Sequence, residues 1–349
     1  DLSGTGSDFD VVTIKDVPGY ATLVQKNTLE SLDDYITDAG INLADFNGIT
    51  DQVTVDGSLY ELPFRSDYWL IYYNKDVFDA AGIAYPSNDM TMEDYDALAR
   101  QLTDTTYGSQ VYGCHYHTWR SAVELFGILD GKHSILDGNY DWMIPYYDMI
   151  LSEEDDGVCQ TYTDLSTEGL HYSAAFSNGN VAMMNMGSWF ISTLISNLDS
   201  GEYDSSLCGN WGIASYPHPD GAEAGSTIAT ITGLAVTSAS ANKDAAFDFV
   251  NWVSGTEGAK VMASTGNFPA IMTDDVINTI AGMAGFPTDE SSKEALNITN
   301  AYLEVPYAEN VSEINSILDT YHTSIMNREV TVEEGVASMN EQVGKILNQ

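Results

Sequence analysis

Positive charge is what this sequence has least of: 12 Lys and Arg stand against 52 Asp and Glu, a formal net charge of −40. A surface of that sign repels nucleic acid and anionic membranes, so DNA, RNA and polybasic membrane docking are excluded. Cysteine is scarce as well. Cys114, Cys159 and Cys208 lie far apart with no CxxC pair, which removes zinc-ribbon and thioredoxin-like readings and leaves room for at most one disulfide. No apolar run reaches membrane-spanning length and no signal sequence is recognisable, as expected of a soluble chain or a mature exported one. GxSxG, P-loop and HExxH motifs are missing. His115 and His117 beside Cys114 invite a metal reading, but an i, i+2 pair cannot share a helix face, and no metal or other cofactor is expected.

What is present suits two lobes. A chain of 349 residues is long for one core, and its apolar fraction of 44% can fill two. The organising stretch is Tyr60–Pro86, in which Tyr68 to Tyr73 is an unbroken aromatic and aliphatic run, the pattern of a strand buried on both faces. Asn74 or Asp76 caps a short helix that Gly82 closes and Pro86 keeps closed. Just before the strand, Arg65-Ser66-Asp67 sets a cation, a hydroxyl and a carboxylate beside Tyr68 and Trp69.

Strands and helices alternate elsewhere too, which predicts an α/β class. Strands are expected at Asp8–Ile14, Val181–Met186, Trp211–Pro217 and Thr227–Thr237. Helices are expected over Thr91–Leu102, Trp119–Leu129, Tyr140–Leu151, Leu170–Asn178, Ser188–Leu198, Lys243–Val253, Thr256–Ser264 and Val311–Met326, with Thr331 and Glu334 capping another. The glycine-punctuated segment Tyr107–Gly113, the strand interrupted at Gly233, and Leu303–Tyr307 read as crossovers. They assign 1–109 and 237–304 to one lobe and 110–236 and 305–349 to the other.

Five segments carry a resemblance. Tyr60–Pro86, FSNGNVAMMNMGSW (Phe176–Trp189), TITGLAV followed by KDAAFDFVNWV, GAKVMASTGNFPA (Gly258–Ala270) and the terminal EGVASMNEQVGKIL follow one another in an order similar to that of the family 1 extracellular solute-binding proteins of ABC importers, the carbohydrate-binding group. The resemblance implies a type II periplasmic-binding-protein-like fold: two α/β lobes, a hinge of about three crossover segments and a cleft. It also implies an extracytoplasmic monomer, periplasmic or a surface lipoprotein, that captures a carbohydrate, in all expectation an oligosaccharide, and hands it to a membrane permease. The strand and helix that usually open the family are not found ahead of Asp8–Ile14, so ligand residues from that segment are not assigned.

A sugar offers hydroxyls at its edge and C–H patches on its faces, so its binder needs flat aromatic platforms and convergent polar groups. Trp189 follows a strand at its carboxyl end, where open α/β sheets hold ligands, and the GSW motif it resembles carries an aromatic platform. Trp119, in CHYHTWR, is a second candidate; Asp67 and Tyr68 are evenly balanced between ligand and structure, and Trp69 leans to core. Arg65 either joins them or pairs with Asp67. Trp211 and Tyr216 bracket a strand and lean to packing, Gly233 offers a close backbone approach or a hinge, and Asn267 with Phe268 lies on a loop that in relatives returns to the cleft. Two alternatives remain: a glycan hydrolase, since abundant carboxylates always allow a suitably spaced pair, and a sugar-sensing or adhesion module without a transporter.

Overall fold

The computed structural model describes residues 9–103 and 110–348. Its strands are β1 (Val11–Ile14), β2 (Leu62–Asn74), β3 (Tyr112–His115), β4 (Val181–Gly187), β5 (Trp211–Ala214), β6 (Thr227–Val236) and β7 (Ala301–Leu303). The chain divides into two compact units: Asp1–Tyr68 with Ala229–Met283 and Ala301–Glu313, and Trp69–Ile228 with Ala284–Asn300 and Ile314–Gln349. Among the described residues, no helix is long and apolar enough to cross a membrane.

In the first unit, β6 lies between β1 and the opening half of β2, antiparallel to both, in registers Val11↔Val236 and Tyr68↔Ala229. Pro63 has no N–H to give a ladder, and the β2 pairing shifts between Pro63 and Arg65. Helices over Val17–Gln25 and Lys243–Ser254 contribute Tyr20, Ala21, Phe247 and Val250 to the core.

The second unit is built on the rest of β2, which pairs antiparallel with both β4 and β5, while β3 runs parallel to β4. All seven residues of β4 are buried, as are Trp69 to Asn74, so the apolar run is a strand covered on both faces. Asn74 Oδ1 accepts from the Asp76 N–H and Gly82 takes φ 66°, closing the helix Lys75–Ala81 where expected. Thr91 and Asp94 cap Met92–Thr103 reciprocally, and Thr331 with Glu334 does the same for Val332–Leu347.

Gly113 seats the helix Met92–Thr103 directly on β3. A Cβ there would lie 1.8 Å from the Ala99 carbonyl oxygen and 2.7 Å from Thr103 Oγ1. Gly113→Ala is therefore expected to push the helix off the sheet and cost about 1–3 kcal/mol, seen as a lower urea midpoint. An unchanged midpoint would show that the packing yields freely.

The unit boundaries differ from those read in the sequence. The chain changes unit at Tyr68/Trp69, inside β2, rather than near Tyr107–Gly113, part of which lies outside the described residues. The second change falls at Ile228/Ala229, before Gly233, and further ones at 283/284, 300/301 and 313/314 flank the stretch read as a third crossover. β2 runs unbroken from one unit into the next, so no turn or glycine marks the place. β3 and the helix Tyr162–Glu168 were also not foreseen: the first is four residues long, and the second has a single buried apolar side chain, Leu165.

Candidate functional site

In the second unit, three strand ends meet. β3 and β4 run parallel, with His115, the last residue of β3, opposite Met184 in the middle of β4, and the antiparallel β2 brings Trp69, where it enters this unit, opposite Gly187, the last residue of β4. Gly187 has no side chain for a physical reason: a Cβ there would lie 2.1 Å from the Trp189 ring. The missing side chain lets the Trp189 indole fold back over the strand end.

Trp189 then packs edge-on to Trp69, with centroids 5.5 Å apart and planes at 82°, and lies 6.2 Å from Trp119. Trp69 meets Trp119 edge-on at 6.4 Å. The three indoles differ in exposure: Trp69 is 2% exposed, Trp189 half-buried and Trp119 40% exposed, on the turn before the helix Ser121–Ile128. Tyr172 extends the cluster, its ring 5.7 Å from Trp119 and its hydroxyl accepting from Trp189 Nε1 at 3.1 Å. His117 lies 4.6 Å from Trp119, 5.4 Å from Tyr172 and 5.8 Å from His171.

Polar atoms without partners sit in this aromatic group. Both ring nitrogens of His115, Nδ1 of His117 and Nε1 of Trp69 are buried and have no hydrogen-bond partner among the described residues. Burial, with His117 beside it, lowers His115 to about 3; burial, with His171 beside it, lowers His117 to about 4. Both imidazoles are neutral at pH 7, so each offers one donor and one acceptor nitrogen. Buried groups left unpaired are costly, and a ligand hydroxyl can both give to and accept from them.

The other candidates fall elsewhere. Trp211 is 3% exposed, stacked on Tyr72 and edge-on to Phe286; Tyr216 is 1% exposed and its hydroxyl accepts from Asn185 Nδ2 at 3.0 Å. Both are enclosed by core neighbours, and neither joins the cluster. In the first unit, Arg65 Nε pairs with Asp67 Oδ2 at 2.6 Å, and Tyr68 meets Phe268 edge-on at 6.1 Å. The Ser66 N–H donates to the Phe268 carbonyl, and Asn267 Nδ2 donates to Thr265 Oγ1. Gly233, expected to approach a ligand or turn a hinge, approaches Glu61 instead: a Cβ would stand 2.2 Å from Glu61 Oε2.

His115, His117, His171 and Tyr172 escaped the sequence reading as binding groups. The histidines of CHYH had been weighed only as metal ligands, and His171 and Tyr172 reach them from a separate helix start. The crowding of polar and aromatic residues in CHYHTWR was the available signal.

The profile of the family described as bacterial extracellular solute-binding protein matches residues 1–260. The fold is similar to that of a sugar transporter from Rhizobium etli solved in an open conformation, at 47% identity and a TM-score of 0.92, over 98% of this chain and 86% of that one. An ABC substrate-binding protein from Listeria monocytogenes, in complex with cycloalternan, shares the fold at 21% identity and a TM-score of 0.77, over 97% and 84%. The mannitol-binding protein of Pseudomonas aeruginosa is 24% identical over 271 residues, 75% of this chain but 60% of that protein's length. The chain thus belongs to the bacterial extracellular solute-binding proteins, in their two-lobe, periplasmic-binding-protein-like α/β fold.

Proposed function

We propose that this protein is the carbohydrate-capturing component of an ABC importer, working outside the cytoplasm as a monomer and delivering an oligosaccharide to a membrane permease. The observation that carries the reading is Trp119, 40% exposed beside Trp189 and Trp69, among imidazole and indole nitrogens with no hydrogen-bond partner among the described residues. An indole face fits the C–H surface of a pyranose, and neutral nitrogens fit its hydroxyls. Trp119 and Trp189 are the stacking platforms in this proposal, with His115, His117 and Trp69 Nε1 as hydrogen-bonding groups. Arg65 and Asp67, paired at 2.6 Å on β2, are the polar candidates of the first unit. The names of the Rhizobium etli and Listeria monocytogenes proteins support a sugar as the ligand class and transport as the setting. The protein binds and releases its ligand unchanged. Sugar binding is coupled to hinge closure because the closed form holds the sugar more tightly, and the permease reads that form.

A melting-temperature screen over mono- and oligosaccharides tests this. At a hundred times its Kd, the cognate sugar is expected to raise the midpoint by roughly 5 °C, since it binds only the folded chain. Trp119→Ala is expected to weaken that sugar about thirtyfold, the loss of a central aromatic anchor, while leaving the sugar-free midpoint nearly unchanged. Cleavage products in the same incubations would replace the receptor reading with a hydrolase, and a panel without any shift would remove the carbohydrate.

A further inference from the structure

We infer that Cys114 and Cys159 form a disulfide that ties β3 to the segment following the helix Ile144–Asp155, leaving Cys208 as the free thiol. Three observations converge on the pair. Cys114 is 0% exposed and Cys159 3%; both are free thiols in the structure, and their sulfurs lie within 4.8 Å of each other and of a Glu153 carboxylate oxygen. The backbone holds the two segments side by side, the Cys114 N–H donating to the Val158 carbonyl at 3.4 Å. Cys208 belongs to a different short helix, Ser205–Cys208, and its thiol points to the Asp204 carbonyl at 3.7 Å.

Glu153 is itself fully buried, and among the described residues neither carboxylate oxygen meets hydrogen-bond geometry, although Tyr116 and Asp96 lie close, so the same trio could be read as two thiolates and a carboxylate around a soft cation. The number of ligands favours the disulfide. Among the described residues the group stops at three ligands, whereas a structural zinc takes four; burial pushes the Cys114 thiol well up, and Cys159, drawn down by its hydrogen bond with Cys114, is still raised by burial. A disulfide needs no further ligand and places no charge in the core.

The oxidant is a small-molecule disulfide such as glutathione disulfide, met outside the cytoplasm if the receptor reading holds. One cysteine thiolate attacks it, forming a mixed disulfide and releasing one glutathione. The second cysteine then attacks the protein sulfur of that mixed disulfide and displaces the other glutathione. Two protein thiols lose two hydrogens and the oxidant becomes two thiols. Because both sulfurs are buried, the bond forms while the unit is still open, during folding.

The test is to refold the full chain in a glutathione redox buffer, denature it without reductant and alkylate it. The proposal expects one alkylated thiol per chain, a mass two hydrogens below the reduced form, and a peptide linking the Cys114 and Cys159 segments. In Cys208→Ser no thiol should label, and in Cys114→Ser both remaining thiols should. Reduction should lower the melting midpoint by about 5 °C or more, because the bond closes a loop over residues 115–158. Three labelled thiols in the refolded wild type overturn the disulfide, and three labelled thiols with one equivalent of co-purified zinc replace it with a metal centre. The sugar screen is run on the same sample: one thiol without any sugar shift sinks the receptor reading alone, and a sugar shift with three thiols sinks the disulfide alone.

Discussion

Replacing Arg120 with methionine is expected to destabilise the protein by about 3–5 kcal/mol. Arg120 is 5% exposed and opens the helix Ser121–Ile128, every residue of which is buried. Its Nε meets Glu124 Oε2 at 2.6 Å, Nη1 donates to the Asn315 carbonyl at 3.0 Å and pairs with Asp319, and Nη2 donates to Asn315 Oδ1. Burial pushes the Glu124 carboxyl up, and Arg120 is what draws it back. Without the guanidinium, Glu124 is a fully buried acid with no cation, which costs far more than a lost surface pair. Urea unfolding measures the loss. The double variant Arg120→Met with Glu124→Gln should recover a good part of it, because the orphaned charge is gone. A single-variant loss below about 1 kcal/mol would mean that water or a shifted neighbour compensates.

The second large effect is a pH dependence centred on Glu61. This carboxyl is 1% exposed, Oε2 has no hydrogen-bond partner among the described residues, and burial with Asp16 nearby raises it to about 8 from 4.5. In the unfolded chain it ionises near its ordinary value, whereas in the folded chain it keeps its proton until about pH 8. Between those values the unfolded state holds fewer protons, so Glu61 lowers stability as pH rises from about 4.5 to 8, and the loss levels off above. Glu61→Gln removes the titration. Its stability relative to the wild type is expected to climb across that window by as much as about 5 kcal/mol, at 1.36 kcal/mol per pH unit. Glu153, also raised to about 8 by burial, acts in the same direction in both proteins and drops out of the comparison. Paired urea curves at several pH values give the result, and a gap that stays constant would show that water or a local opening solvates Glu61.

Local signals in the sequence were read well. The helix Val311–Met326, the Thr331–Glu334 and Thr91–Asp94 caps, and the stop at Gly82 depend on residues at most a few positions apart, and the structure has them where the spacing put them. The sequence reads β2 from Tyr68 to Tyr73, and the strand is more than twice as long, because Leu62–Asp67 finds its partners in β6, far along the chain. The site divides along the same line. Trp119 and Trp189 stand out as residues, yet nothing near Trp69 in the sequence reveals that its indole lies 5.5 Å from Trp189 while its N–H finds no partner among the described residues. His117 and Tyr172 come together only because β3 and β4 run side by side.

The sequence by itself determined the class of molecule: an acidic, mixed α/β chain whose ordered segments resemble the extracellular solute-binding proteins, because composition, periodicity and capping act over a turn or a strand. Tertiary structure alone decided which side chains share a place. The change of unit inside β2, the close approach of Glu61 to Gly233, the buried pair of thiols and the three converging indoles all depend on strand pairings between distant segments. The energy of such contacts comes from burial and registry, which local sequence does not encode.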